Sequence, residues 1–290
     1  MKVKLITTLQ SIEMQRLKDE TCAMGHECDL VDLSKFTFSI RDTKLSIDNL
    51  GNPNPDVVVV KGVTVNKAPI VALIHDYRKR GIKVFDNNYC EHQYTINKVT
   101  DLIKLSLNNV PIPDTFHCHD FDEFYRACEI VGYPAIVKLV GAGKGAGVFK
   151  ADNKERLAEI ISNAQNDMLK SASRFIVQQY IPYEHDLRVL IIGEKLFVMK
   201  RIPGEGEFRA NFSLGGSVET FELDDEGKEL AKRGLAAVDM SVAGVDLLIT
   251  KDNKRYVLEV NHTPGFVGME KATGENIARI YMEHAIGNAY

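Results

Sequence analysis

The chain has 290 residues, with 36 lysines and arginines against 40 aspartates and glutamates and a formal charge of −4. That balance argues against a mainly electrostatic nucleic-acid binder, which needs clustered basic residues to neutralise phosphates. Hydrophobic residues at 44% and charged ones at 26% are ordinary for a globular chain, and the length suits two or three compact units.

The opening MKVKLITTLQS turns polar too soon for a signal peptide or a membrane span, so the expectation is a cytoplasmic protein without a membrane partner. Five scattered cysteines, an odd number, read as reduced thiols.

KVKLITT reads as a strand, and SIEMQRLKDETCAMG as a helix from Ser11 to a terminating Gly25. DVVVVKG is a buried strand, KAPIVALIHDYRKRG a helix ending near Gly81, and IKVFD a further strand. Strand, helix, strand, helix, strand at this spacing predicts a small parallel α/β unit ending near Asn88. A helix over Gln93 to Leu107 stops before NNVPIPDT, whose prolines impose an extended segment. The sequence HCH, His117 to His119, suggests zinc, but alternate strand residues face opposite ways and no second ligand cluster lies nearby.

A helix over Phe121 to Val131, the strand PAIVKLV, a glycine-rich loop, the strand GVFKA, a helix over Lys154 to Gln165 and the strand RFIVQQYI follow. They predict an antiparallel sheet with helices on one face. LRVLIIG and KLFVMKR join through Gly193-Glu194, a hairpin signal. A helix over Asp225 to Asp239, the pair VAGVDLLIT and RYVLEVN across KDNK, and a last helix from near Gly274 complete the chain.

Two constellations carry chemistry. In GAGKGAG, bare glycine backbone can aim several N–H donors at one anion, with Lys138 on the entering strand and Lys144 at the tip. No Walker or Rossmann spacing is present, so the loop is either a phosphate cradle of another kind or a plain hairpin. In VDLLITKDNKRYVLEVN, paired strands bring Asp246, Glu259 and Asn261 together, with the last two on one strand face. Three oxygen donors suit Mg²⁺ shared with substrate phosphates. The alternative is edge charges, but Glu259 sits between apolar residues, and a buried carboxylate needs a partner.

From about Asn88 onward the chain resembles the RimK-type ATP-grasp family of ATP-dependent carboxylate–amine ligases. The resemblance rests on INKVTDLI, VPIPDT, GYPAIVKLVGAGKGAGV, IVQQYI, HDLRVLIIG, GEFRANFSLGG, VAGVDLL and VLEVNHTPGFVGMEKATG, in that order. It implies an α/β chain of three parts: an N-terminal pre-ATP-grasp domain (1–88), a central lobe with the glycine loop (89–178) and a C-terminal lobe with the metal site (179–290). The two lobes would enclose the nucleotide.

By the same resemblance, Lys98 and Lys138 would hold ATP phosphates under the glycines Gly143, Gly145 and Gly147. Gln179, Tyr180 and Ile181 would read the adenine edge through backbone groups, and Asp186 the ribose. Arg209, Ala210 and Asn211 would lie at the γ-phosphate, with Arg209, Asn211 and Arg188 as catalytic groups. Asp246, Glu259 and Asn261 would hold two Mg²⁺ or Mn²⁺ ions.

The implied reaction activates a carboxylate as an acyl phosphate, which an amine then attacks. The expected substrates are an amino acid, glutamate foremost, and a peptide or protein carboxylate; a homo-oligomer is the implied assembly. A small-molecule or natural-product peptide ligase, a phosphotransferase and a nucleotide-binding module without turnover are the alternatives. Arg188, Arg201 and Arg209 are expected to converge on an acidic substrate, or else to pair with nearby acids such as Glu205 or Glu207. His262-Thr263, Lys144 and Lys61 depart from the family pattern, His262 being expected as a hydrogen-bonding neighbour of the metal set.

Overall fold

The structure is a computed structural model describing residues 1–92, 97–140, 147–166, 174–204, 207–209 and 217–290. β1 (Lys2–Thr7) leads to α1 (Ile12–Ala23), with Ser11 extended at the N-cap and Gly25 closing the turn at φ +80°. β2 (Glu27–Asp32) and an exposed hairpin, β3 (Phe38–Arg41) with β4 (Lys44–Ile47), come next. The sequence reading misses all three. β2 is an edge strand of alternating acidic and apolar residues, and the hairpin leaves Phe38, Ile40 and Leu45 exposed, so neither shows a buried run.

β5 (Val57–Val60) is buried throughout and is followed by α2 (Lys67–Lys79) and β6 (Lys83–Phe85). The four main strands run parallel in the order β2-β1-β5-β6. This is the expected parallel unit with one strand more.

The chain at Asn87 and Asn88 is held firmly to residues 239–242. Asn87 Oδ1 accepts from the backbone N–H groups of Ser241 and Val242, each at 3.0 Å, and its Nδ2 donates to Val242 O at 2.7 Å. Both Asn87 and Asn88 adopt positive φ, which asparagine tolerates better than most side chains.

α3 (Tyr89–His92) precedes α4 (Lys98–Leu107). The helix expected from Gln93 starts instead at Lys98, because Asn97 caps it: its side chain accepts from Val99 N and Thr100 N at 3.0 Å. Residues 93–96 lie outside the described residues.

β7 (Thr115–His117), α5 (Phe121–Val131), β8 (Ala135–Leu139), β9 (Val148–Ala151), α6 (Lys154–Asn166) and β10 (Phe175–Gln179) form the second layer. Its antiparallel order is β7-β10-β8-β9. Phe124, Ala127 and Cys128 of α5 and Leu157 and Ile160 of α6 close one core with Val137 and Val177. His117 ends β7, Cys118 is buried and Asp120 caps α5, so HCH is a strand running into a helix cap. Among the described residues no three metal-capable His, Cys, Asp or Glu side chains gather anywhere, and none of the five cysteines is in a disulfide.

The third sheet contains β11 (Asp186–Ile192), β12 (Lys195–Ile202), β13 (Ser217–Thr220), β14 (Val242–Ile249) and β15 (Arg255–Asn261), in the order β13-β12-β11-β14-β15. The turn at Gly193 has φ +57°, and a Cβ there would come within 2.8 Å of His284 Nδ1. The hairpin therefore needs glycine twice over.

α7 (Asp225–Ala237), with Leu230, Ala231 and Leu235, covers one face of this sheet. α8 (Val267–Thr273), which the sequence reading misses, and α9 (Ile277–Gly287) lie on the other side. Gly274, at φ +74°, separates these two helices, so the last helix begins later than expected.

Tyr281, Met282 and Ala285 of α9 share one core with Leu5 and Val59 of the first sheet and Leu190 and Ile192 of the third. The N-terminal sheet is thus packed directly onto the C-terminal half. Tyr290 also exchanges two backbone hydrogen bonds with Val84 of β6. Among the described residues no helix is long and apolar enough to cross a membrane.

Candidate active site

The site begins with strand register. β14 and β15 place Asp246 opposite Glu259 and Gly244 opposite Asn261, with an irregularity just after Asp246 that leaves Leu258 unpaired. Val245, Val257 and Val260 turn into the α7 core, so Asp246, Glu259 and Asn261 point the other way. β11 and β12 add Asp186, Arg188 and Arg201 to that polar face, whose far end is apolar through Leu190 and Ile192.

Charges here are paired tightly. Arg188 binds Asp246 through Nε and, at 2.9 Å, through Nη2. Arg201 donates to Asp186 at 2.6 and 2.7 Å, and its Nη2 also lies 2.8 Å from Asp246 Oδ2.

Burial opposes the Asp246 charge, yet Arg188 and Arg201 outweigh it and hold the carboxyl below its usual range. At Asp186 burial prevails over Arg201, and the carboxyl is pushed up. The arginines expected to meet substrate are therefore engaged within the sheet. Arg209 pairs with Glu207 at 2.6 Å, and that hydrogen bond pulls Glu207 down to about 2.

Two lysines approach from the neighbouring elements. Lys98, the first residue of α4, reaches Glu259 Oε2 at 2.8 Å; burial resists the Glu259 charge, and Lys98 more than offsets it. Lys138 on β8 donates to Gln178 Oε1 at 2.6 Å, and Gln178 in turn donates to Thr115 Oγ1 at 2.9 Å. Desolvation lowers Lys138 to about 8. A desolvated ammonium whose hydrogen-bond partner among the described residues is a neutral amide is well placed to gain from an incoming anion.

Lys98, Lys138, Glu259 and Asn261 line a cavity of about 390 Å³. Val63, Thr64 and Lys67 from the N-terminal unit also line it. Lys98 and Asp101 are one turn apart on α4, and Asp101 Oδ2 lies 3.0 Å from His262 Nε2. This is an ion-pair distance without hydrogen-bond geometry, and neither ring nitrogen of His262 has a hydrogen-bond partner among the described residues. The expected hydrogen-bonding neighbour thus sits beside an acid of α4.

The other expected residues fall as follows. Gln179 N is taken by Asp114 O at 2.8 Å, the Tyr180 ring lies 4.8 Å from the Lys150 ammonium, and Ile181 is buried. Gly147 O accepts from Leu139 N at 2.7 Å. Gly143, Lys144, Gly145, Glu205, Ala210 and Asn211 lie outside the described residues. The sequence reading does not find Asp101, Lys67 or Tyr89 as cavity residues, nor Gln178 as the partner of Lys138; only the Lys98–Asp101 spacing on one helical face hints at any of them.

Two carboxylates and an amide in one strand register are oxygen donors of the kind a hard divalent cation takes, each engaged here by a protein donor: Asp246 by Arg188 and Arg201, Glu259 by Lys98, and Asn261 Oδ1 by Thr263 N at 3.0 Å.

Residues 95–285 match the RimK-like ATP-grasp domain. Over its whole length the chain is 28% identical to a probable alpha-L-glutamate ligase of Coxiella burnetii, covering 96% of that protein. It is 26% identical to human beta-citrylglutamate synthase B, with 94% of this chain and 72% of that protein aligned. The fold superposes on the ATP-grasp ligase PsnB in complex with a precursor variant, Mg and ADP, with TM-score 0.72, 20% identity and coverage of 99% and 98%. It also superposes on a RimK-domain ATP-grasp protein of Sphaerobacter thermophilus, with TM-score 0.72, 19% identity and coverage of 99% and 100%. The mixed parallel and antiparallel α/β architecture is that of these neighbours, and the chain belongs to the RimK-like ATP-grasp ligase family.

Proposed function

We propose that this protein joins an amino acid, glutamate foremost, to a carboxylate of a peptide or small acid, with ATP converted to ADP and phosphate. The observation that carries this reading is one cavity with Lys98 and Lys138 beside the Asp246–Glu259–Asn261 register. Lys138 meets the phosphates from its desolvated position, and Lys98 is shared between Glu259 and the incoming anion. Asp246, Glu259 and Asn261 hold Mg²⁺ or Mn²⁺, as one or two ions, and the bound metal offsets negative charge on phosphate oxygens.

In this reading a substrate carboxylate oxygen attacks the γ-phosphorus, ADP leaves, and the resulting acyl phosphate accepts the amine nitrogen and expels phosphate. The protein positions the reactants and supplies cations. Asp186 takes the ribose, with Arg201 holding its carboxylate in place. Arg188 orients Asp246, and Arg209 and Asn211 approach the γ-phosphate.

Full-length similarity to proteins named glutamate ligases favours glutamate. Neighbours such as the macrocyclase MdnC bound with the precursor peptide MdnA, at TM-score 0.69, support a peptide as the carboxylate partner. ATP and amino acids as substrates suit a cytoplasmic enzyme, and a homo-oligomer is part of the proposal.

The test is incubation with ATP, Mg²⁺, pooled amino acids and acidic peptides, followed by mass spectrometry. The reading expects ADP and a product heavier by one amino-acid residue. Phosphorylated hydroxyl compounds without an amide would replace it with a phosphotransferase.

A further inference from the structure

The hairpin of β3 and β4 has no third strand among the described residues. Its turn is short: Asp42 and Thr43, at φ 49° and 64°, join Arg41 directly to its opposite residue Lys44. Asp48 N donates to Thr37 O at 3.0 Å, and these two continue the same register. Antiparallel pairs alternate, so Ser39 with Ser46 and Arg41 with Lys44 exchange backbone hydrogen bonds, whereas Phe38 with Ile47 and Ile40 with Leu45 do not. The amide and carbonyl groups of Leu45 and Ile47 therefore point outward from β4, and no described residue takes them up.

Phe38, Ile40, Leu45 and Ile47 share one face of this ribbon. Ile47 packs onto the core of the N-terminal unit, while Phe38, Ile40 and Leu45 are 54, 65 and 57% exposed. An open strand edge with apolar flanks is a template for pairing with another chain. The other face carries Arg41, Lys44 and Asp48, all exposed and without an ion pair among the described residues. Arg41 stands directly across from Lys44, a like-charge pair that is unfavourable as it stands.

Charge decides which chain pairs there. When two copies of β4 are laid antiparallel about Ser46, Leu45 meets Ile47 of the partner subunit as a hydrogen-bonded pair, twice by symmetry, through the outward backbone groups. Lys44 then faces Asp48 of the partner subunit, also twice, which supplies the acid that the Arg41–Lys44 pair lacks. Sliding the register by one pair of residues sets Lys44 against serine and loses both ion pairs. The outer edge of β3, turned about Ser39, sets Arg41 against threonine with no acid opposite.

We propose that the protein forms a two-fold dimer through β4, the two hairpins becoming one four-stranded antiparallel sheet with a second copy of this chain. This gives the proposed homo-oligomer its interface, and it does not depend on which reaction the active site performs.

Sedimentation velocity of the full chain, from micromolar to submillimolar concentration, is the test. The wild type is expected to be a dimer that dissociates on dilution. Lys44→Asp alone and Asp48→Lys alone each set like charges opposite one another at both ends of the interface and should weaken the dimer about tenfold or more. Mixed in equal amounts, these two variants should dimerise with each other as the wild type does, because both crossed pairs are then complementary. Ser46→Cys, on the two-fold axis in a non-hydrogen-bonded pair, should give a disulfide-linked dimer under mild oxidation, while Ser39→Cys and the wild type should not. A wild type that stays monomeric throughout would overturn the proposal and leave the edge to an extended segment of another protein. Single variants that dimerise unchanged, a mixture that stays monomeric, or a Ser46→Cys protein that does not cross-link would overturn it too, by placing any dimer contact elsewhere. Ligation is read in none of these arms, so failure of the ligase reading would leave the interface standing.

Discussion

Replacing Lys61 by methionine should stabilise the protein, and by an amount that vanishes at high pH. Lys61 ends the buried strand region of the N-terminal unit and is wholly enclosed. Its ammonium donates to Pro264 O at 3.2 Å and lies 4.6 Å from the centre of the Tyr281 ring. Desolvation lowers its pKa from 10.5 to about 8, with Glu13 pulling weakly the other way. A difference of about 2.5 units, at roughly 1.4 kcal/mol each, means that the buried charge costs on the order of 3 kcal/mol.

Below pH 8 the lysine is charged in both folded and unfolded chains, and the full cost is present. Between about 8 and 10.5 the unfolded chain binds the extra proton, so wild-type stability gains as pH rises. Above that window both forms are neutral and the cost is gone. Methionine fills similar volume without charge but forfeits the hydrogen bond and the aromatic contact, together worth about 1–2 kcal/mol. Lys61→Met should therefore be about 1–2 kcal/mol more stable than the wild type at pH 7. By pH 10.5 it should have lost that advantage. Urea unfolding of both proteins from pH 7 to 10.5 measures the difference. A stability difference that does not change with pH would refute the reasoning, because the Lys61 charge would then cost nothing.

Glu259→Gln should leave the melting temperature within a few degrees and lower ligation by about 10²–10³-fold, measured as ADP release, because the charge facing Lys98 and the metal is lost. Lys138→Ala should weaken nucleotide binding about 10–100-fold by calorimetry, the value of a charge-assisted hydrogen bond of 1.5–3 kcal/mol. Arg201→Met should destabilise the fold by about 3–5 kcal/mol in chemical denaturation, since it leaves the Asp186 carboxylate buried without its partner.

The pairing of the two metal-side strands was legible from the short turn between them, but its final register was not. KDNK between VAGVDLLIT and RYVLEVN sets Ile249 against Arg255, which continued unbroken would bring Leu258 opposite Asp246; the irregularity after Asp246 puts Glu259 there instead, and side-chain alternation puts Asn261 beside it. Lys138 was legible as a lone lysine inside an apolar strand. Its partner Gln178 was not, because that pairing depends on β10 lying next to β8 rather than on any local pattern. Sequence alone leaves the three arginines between an acidic substrate and nearby acids; Arg209 does pair with Glu207, while the acids that take up Arg188 and Arg201 are the strand neighbours Asp246 and Asp186, which no local pattern shows. Periodicity shows that α9 has an apolar face but not what that face covers; its packing against both outer sheets appears only in three dimensions. The same holds for Lys67 and Tyr89, which reach the cavity through the docking of the N-terminal unit.

The central claim, carboxylate activation by phosphoryl transfer, is tested most directly by isotope transfer. A glutamate-terminated peptide labelled with ¹⁸O in its carboxylates is incubated with ATP, Mg²⁺, glutamate and the protein, and the released phosphate is analysed by mass spectrometry. The account predicts one ¹⁸O in the phosphate for each amide bond formed, because the attacking carboxylate oxygen stays on phosphorus. Amide formed with unlabelled phosphate, or ADP released with a stable phosphorylated product and no amide, would contradict it.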